Sequence, residues 1–374
     1  MRIHIIGAGP AGLYAAILLK KALPHGDIQV FEQNRADATF GFGVVFSNQA
    51  LSFLRSDDPE TADLIEPHMK HWHDVALQHH GEHITIDGVG FSGIGRLQLL
   101  ELLQARARKL GVALNFETRI AALDDGECDL LIGADGLNSR VRQAGNFGVT
   151  ESHGRNWFAW FGTNREFDAL TQTFVDTPFG RMNAHHYAYA PGCATFIVEM
   201  TPETFAKTKF AELPASEYRR ICSVCFADVL GGVELIANHS VWRQFPHLDC
   251  TRWFEGHRVL VGDAAHSAHF SIGSGTRLAL DDVLALVAAL KSVSWDLRAG
   301  LAAYQSARQP VVNKLVSASR KSARWYEDFD KHMDLEPWPF ALSYISRTGR
   351  LDQDRLERLA PRFTVAARNR GVTL

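Results

Sequence analysis

Gly7, Gly9 and Gly12 stand in the spacing G-x-G-x-x-G, with Ala8, Pro10 and Ala11 between them. A turn of that kind can bind a diphosphate. Without Cβ atoms the backbone closes on the anion, and a following helix offers free N–H groups and a partial positive charge. Glu32 comes 20 residues after Gly12 and is followed by Gln33. A carboxylate at that distance can accept hydrogen bonds from both hydroxyls of a ribose. Together these residues could hold a dinucleotide. A glycine-rich turn without a ligand is the plain alternative, and the flanking elements oppose it.

Those elements are a short apolar strand at 3–6, a helical pattern of Leu13, Ala16, Ile17 and Leu19, and a second strand at 28–31 ending in Glu32. Two later segments repeat the plan of strand, turn and helix. Residues 129–132 read as a buried strand, and the turn Gly133-Ala134-Asp135-Gly136 leads to a helix capped by Asn138 or Ser139. Residues 258–261 are another strand, followed by Gly262-Asp263-Ala264-Ala265-His266. After it come Gly273, Ser274, Gly275 and Thr276, then a long helical pattern through Leu280, Leu284, Val287 and Leu290. Each alone could be an ordinary glycine-punctuated turn.

Their order along the chain resembles the single-component FAD-dependent aromatic hydroxylases: an N-terminal G-x-G-x-x-G, a central G-A-D-G-x-x-S-x-V-R and a late G-D-A-A-H. Arg96, opening a helix at 97–110, matches an arginine that precedes a comparable helix in that family. One position departs from the general pattern, because Phe270 stands four residues after His266 where the family places proline. The run from His269 to Thr276 is instead similar to a narrower subgroup. That subgroup holds salicylyl-CoA 5-hydroxylase, the hydroxylase half of anthraniloyl-CoA monooxygenase and the tryptophan hydroxylase of violacein biosynthesis. The segments 41–47, 184–187 and 195–199 also look like it, and the tail around Trp325 and Glu336 looks closer to the two aryl-CoA enzymes.

The resemblance implies a doubly wound, Rossmann-like α/β domain of the glutathione-reductase type. A β-sheet substrate domain would be inserted in it, and C-terminal helices would cover both. The expected FAD domain is discontinuous, over 1–70, 93–152 and 250–315; the substrate sheet takes 71–92 and 153–249, and the cover 316–374. FAD would be the bound cofactor, with NADH or NADPH as a transient co-substrate and O2 as oxidant. The implied chemistry is hydroxylation of an electron-rich ring through a flavin C4a-hydroperoxide, most closely that of an aryl-CoA thioester such as salicylyl-CoA. A free aromatic acid or tryptophan is the alternative substrate. A non-hydroxylating flavin reductase or oxidase, or a binding scaffold, is the alternative from another class.

The site residues follow from the same likeness. Asp263, at a strand's C-terminal edge, would accept hydrogen bonds from the ribityl chain. The Gly273-Ser274-Gly275-Thr276 turn would aim helix N–H groups at the flavin edge that becomes negative on reduction. Asp135 and Arg96 join the cofactor set by resemblance. His185 and Tyr187 share parity on one predicted strand, so both point to one sheet face and could hydrogen-bond the substrate. With His269 they are the candidate catalytic residues, imidazole being the natural proton mediator near neutral pH. Phe42, Phe46, Trp160, Phe270 and Ile272 would form a dry wall, because water destroys the oxidant.

The rest of the chain is ordinary. Its 374 residues carry a formal charge of −3, which gives no reason to expect nucleic acid. Five cysteines make no secreted framework, no apolar run is long enough to cross a membrane, and a cytoplasmic location is expected. The length is not expected to accommodate a fused reductase half. Histidines 68, 71, 73, 79, 80 and 83 lack ligand spacing, and the C-x-x-C of Cys222 and Cys225 lacks a second pair, so no metal is expected. Segments 157–161, 171–175, 185–189 and 195–199 read as strands, 75–86 as a hairpin, 216–230 and 296–324 as helices. Residues 314–374 hold twelve Lys/Arg against eight Asp/Glu. Lys314, Arg320, Lys321 and Arg324 could meet the phosphates of CoA or form a solvated helix face.

Overall fold

The computed structural model describes residues 1–39, 41–120 and 127–374. Its N-terminal strand Arg2–Ile6 lies at the centre of a six-stranded sheet, parallel to Asp27–Phe31 on one side and Leu130–Gly133 on the other. Ala113–Asn115 extends the sheet beyond Asp27–Phe31, and Arg258–Leu260 extends it beyond Leu130–Gly133, both parallel. A parallel sheet must be covered on both faces, so its strands are continuously apolar. Ile3, Ile5, Leu130 and Ile132 are fully buried. Helices Pro10–Ala22 and Gly275–Ser292 pack together, and Leu297–Glu327 packs on the latter. This is the doubly wound α/β unit expected from the sequence.

A mostly antiparallel sheet of eight strands carries the second unit. Its long strand Val149–Thr163 pairs with Arg243–Cys250 and, along its second half, with Cys193–Met200; a bulge between His153 and Trp157 breaks its register with Arg243–Cys250. Gly180–Ala190 and Leu170–Thr177 follow, and the hairpin Val75–His79/Glu82–Ile86 completes the sheet. Alternation divides its two faces. Phe161, Phe196 and Phe226 pack with helices Pro202–Thr208 and Ala215–Cys225 on one side. On the other, Phe174 and Tyr187 pack with Trp325, Tyr326 and Phe340 of the C-terminal helices.

Three short strands, Gly43–Ser47, Phe91–Gly95 and Lys70–Trp72, join the two units. One reading is corrected in detail, and one choice left open is decided. The helix expected over 216–230 breaks at Phe226, whose backbone leaves helical angles while its ring buries edge-on against Phe196. The cap of the helix Arg140–Gln143 is Ser139 rather than Asn138, its Oγ accepting the Arg142 N–H at 3.0 Å.

Candidate active site

Three turns converge at the C-terminal ends of the parallel strands. Gly7 has φ +102°, and a Cβ there would strike the carbonyl of Ala134, so only glycine lets the first turn lie against Asp135. At Gly12 a Cβ would collide with the Gly7 carbonyl. Gly9 differs: a Cβ there meets nothing within 4 Å. The close packing at Gly7 and Gly12 therefore builds a turn whose outer lip, at Gly9, opens on free space. Glu32 braces it, since its Oε2 accepts the Ala8 N–H at 2.9 Å while Oε1 is held by Asn34. Gln33 is exposed beside it.

Asp135 spends one carboxylate oxygen on the Arg140 N–H at 2.6 Å, and the other is buried without a partner among the described residues. Burial pushes its pKa up, against the pull of the Ser139 hydroxyl and backbone N–H groups. Arg142, from the same motif, donates to the carbonyls of Leu137 and Ala264 and so ties the central turn to the late one. Asp263 is open to solvent at the cleft floor yet ringed by protein; desolvation raises its pKa, partly offset by His266 and Arg96. Arg96 sits at the N-terminus of the helix Arg96–Lys109, the wrong end for a cation. Its guanidinium makes no hydrogen bond among the described residues, and burial lowers its pKa against the pull of Asp263. A polar ligand would satisfy it.

The late turn is held from beneath by Asp282 and Arg308, which stand in no motif, together with His266 of the late G-D-A-A-H. Asp282, fully buried, accepts the Gly262 N–H at 3.0 Å, His266 Nε2 at 2.7 Å and Arg308 Nε at 2.8 Å. Burial would raise its pKa, but His266 and Arg308 outweigh that and hold it below the usual range. Past this anchor, Gly273 turns the chain at φ +58°. Helix Gly275–Ser292 then starts without any side-chain cap on Ser274, so its first N–H groups stay free, those of Gly275 and Thr276 among them. An open glycine lip, an orphaned Asp135 oxygen, an unbonded arginine and an uncapped helix end fit a cofactor with a diphosphate and a polarisable ring.

The turn that presents this helix also touches the sheet. Phe270 lies 5.3 Å from the His185 ring, 4.9 Å from Phe158 and 6.2 Å from Trp160. His185 Nε2 is 3.2 Å from Glu199 Oε2, and Glu199 Oε1 accepts from Asn156 Nδ2 at 2.9 Å. Burial lowers the His185 pKa despite Glu199, so the pair is a neutral imidazole beside a carboxylate rather than an ion pair. His269 Nδ1 accepts the Ser271 N–H at 3.3 Å, and burial drives its pKa down to about 3. A small cavity runs between Glu199 and His269 and outward past Phe245 and His247 to the half-buried Glu327. It is about 10 Å³, room for a single water.

The other candidates fall in different surroundings. Tyr187 shares the His185 face, but its hydroxyl is committed to the Gly43 carbonyl at 2.8 Å, where it fixes the joining sheet. Phe42 lies against Gly162, half-buried. Phe46 belongs to the core of the parallel-sheet unit. The Trp160 indole N–H is buried without a partner among the described residues, and Ile272 is half-buried in the 3-10 turn with Phe270. A wider surface pocket of about 640 Å³, among Glu82, Trp338 and Arg370, is lined by none of these residues. Asp282 and Arg308 carried no motif; Glu199 was visible only as the last residue of the segment 195–199, with no role assigned.

Residues 124–319 match the family of FAD-binding domains. The chain is 38% identical over 363 residues to salicyloyl-CoA 5-hydroxylase of Streptomyces sp, covering 93% of this chain and 70% of that one. The chain belongs to the single-component FAD-dependent aromatic hydroxylases. It is also 35% identical to 3-hydroxy-4-methyl-anthranilyl-[aryl-carrier protein] 5-monooxygenase of Streptosporangium sibiricum, over 87% of this chain and 89% of that one. The fold is that of P. aeruginosa PqsL, solved with 2-aminobenzoylacetate, at TM-score 0.70 and 22% identity, over 90% of this chain and 100% of that one. This hydroxylase therefore uses FAD. Among the described residues no helix is long and apolar enough to cross a membrane.

Proposed function

We propose that this hydroxylase inserts oxygen into an electron-rich ring carried as a CoA thioester, salicylyl-CoA above all, at the expense of NADH or NADPH. The observation that carries the reading is the shared turn: residues 269–276 present free helix N–H groups on one side and press Phe270 against His185 on the other. The relatives named for CoA-bound and carrier-bound aryl groups favour a thioester. FAD supplies the oxygen activation. Gly7, Gly9, Pro10, Ala11 and Gly12 would cradle its diphosphate, and Glu32, with Gln33 beside it, a ribose. Asp135, Asp263 and Arg96 would take further polar groups along the cofactor. Gly273, Ser274, Gly275 and Thr276 would stabilise its reduced edge through the helix dipole.

The substrate side is the work of the sheet. His185 would meet the ring hydroxyl, with His269 beside it, while Tyr187 keeps the joining sheet in register. Phe42, Trp160, Phe270 and Ile272 would exclude water, with Phe46 supporting them from the core. Lys314, Lys321 and Arg324 are exposed and without ion pairs among the described residues, whereas Arg320 is tied to Asp249. The first three would receive the CoA phosphates. A panel of aryl-CoA thioesters, free aryl acids and tryptophan, scored by NAD(P)H consumption and hydroxylated product, tests the reading. Stimulation by salicylyl-CoA supports it; stimulation by the free acid or tryptophan instead defeats it.

A further inference from the structure

We propose that Glu199 is a positioning residue: it holds His185 as the tautomer protonated on Nε2, leaving the Nδ1 lone pair to take the proton of the substrate's ring hydroxyl. The inference rests on the reading above that the ring hydroxyl of an aromatic substrate meets His185.

Glu199 sits one residue from the C-terminal end of the strand Cys193–Met200, 1% exposed. A buried carboxylate is tolerated only when its oxygens are satisfied. No Lys or Arg bonds it among the described residues; its partners are the Asn156 amide and the His185 ring. Asn156 is itself fixed, since the same amide nitrogen donates to the Tyr326 carbonyl at 2.7 Å. An ionised carboxylate can only accept, so the imidazole must donate, and its proton stands on Nε2. The lone pair is then on Nδ1, which makes no hydrogen bond among the described residues. The ring cannot swing away: Phe270 at 5.3 Å and Tyr326 at 4.8 Å hold it.

Burial keeps His185 neutral at rest against the pull of Glu199, and the nearby Arg347 charge adds to it. Arg347 is a committed cation, donating to the Ser271 and Tyr344 carbonyls and to the Ser322 hydroxyl. His269 is neutral with its own proton on Nε2, because Nδ1 accepts from the Ser271 N–H. Tyr326, which donates to Gln172, is a neutral phenol. His186, next in sequence, points to the opposite face and is neutral. In the step proposed, the O–H bond of the ring hydroxyl breaks and its electron pair stays on that oxygen. An N–H bond forms on Nδ1, and the imidazolium is stabilised by the carboxylate at 3.2 Å. The phenolate ring is the more electron-rich nucleophile. The proton on Nδ1 returns to that same oxygen when the ring rearomatises in the product, which restores the tautomer protonated on Nε2.

Histidine nitrogen-15 NMR of the FAD-loaded protein tests this without any substrate, so a failed substrate panel and a failed tautomer are distinguishable. The His185 signal, assigned by its loss in His185→Gln, should be a neutral ring protonated on Nε2 from about pH 6 to pH 9. In Glu199→Gln, whose amide can donate as well as accept, that preference should weaken. With the turnover substrate, kcat should fall on the order of a hundredfold and KM should change little. Glu199→Asp should recover part of the loss. A ring protonated on Nδ1, an imidazolium at neutral pH, or unchanged tautomer and kcat in Glu199→Gln would overturn the proposal. The wild-type tautomer decides the matter even if Glu199→Gln does not fold.

Discussion

His266 Nε2 lies 2.7 Å from Oδ2 of Asp282, and the same oxygen accepts the Gly262 N–H. One buried carboxylate thus fastens the loop that carries Asp263 to the helix whose free N–H groups begin at Gly275. Two parts of the proposed cofactor site that come from different elements therefore share one anchoring side chain, with Arg308 neutralising it from the helix Leu297–Glu327.

Asp282→Ala removes that fastening and leaves Arg308 buried without its main partner. Breaking a buried pair on one side costs about 3–5 kcal/mol. Urea unfolding of the apoprotein should show a loss of that size, and FAD affinity should fall with it. An unchanged midpoint would show that the loop is held some other way.

Gly9→Ala separates folding from binding. A Cβ at Gly9 touches nothing in the protein, so the apoprotein should unfold at the wild-type denaturant concentration. The same methyl stands on the lip where the diphosphate must approach, and FAD affinity should drop about tenfold or more. Fluorescence titration with FAD measures it. Wild-type affinity would place the diphosphate elsewhere.

Stability should depend on pH through two buried histidines. His186 and His269 are driven by burial from 6.5 to about 3, and unfolding returns each to its ordinary value. Between those limits the unfolded chain takes up protons that the folded chain refuses. The stabilisation is thus complete above pH 6.5 and is lost as the pH falls. Each group contributes a slope of about 1.4 kcal/mol per pH unit. Urea titrations between about pH 6 and pH 4 should show a shallower slope in His186→Gln than in the wild type. Equal slopes would mean that His186 is protonated in the fold.

Phe270→Ala should open the wall between the cofactor turn and the sheet. Its ring bridges His185, Phe158 and Trp160, so truncation admits water to the oxidant. NADH oxidation should continue while the share ending as hydrogen peroxide rises. Peroxide assayed against hydroxylated product gives the ratio; an unchanged ratio would remove Phe270 from the wall.

Much of this was legible in the sequence because it is local. The glycine turn, Asp135 and Asp263 each sit at a strand end and the Gly273 turn at a helix start, where the residues that would bind are neighbours of the residues that shape the turn. His185 and Tyr187 were placed on one face by parity alone, and the sheet puts them there. Parity cannot say what a hydroxyl reaches, and Tyr187 spends its own on Gly43. Glu199 was hidden because a glutamate in an apolar strand looks like any outward-facing residue until its neighbours His185 and Asn156 are known. Asp282 and Arg308 were hidden for the same reason: His266 and Arg308 are 16 and 26 residues from Asp282 along the chain, and the three meet only in the fold.

Hydroxylation of an aryl thioester by this FAD protein would leave an isotopic mark on its product. Mass spectrometry of the products formed from salicylyl-CoA and NADH or NADPH under oxygen-18 gas tests it most directly. The expected product is an intact CoA thioester carrying one labelled oxygen on its ring. Hydrogen peroxide with no labelled thioester, or labelled product from free salicylate alone, would contradict it.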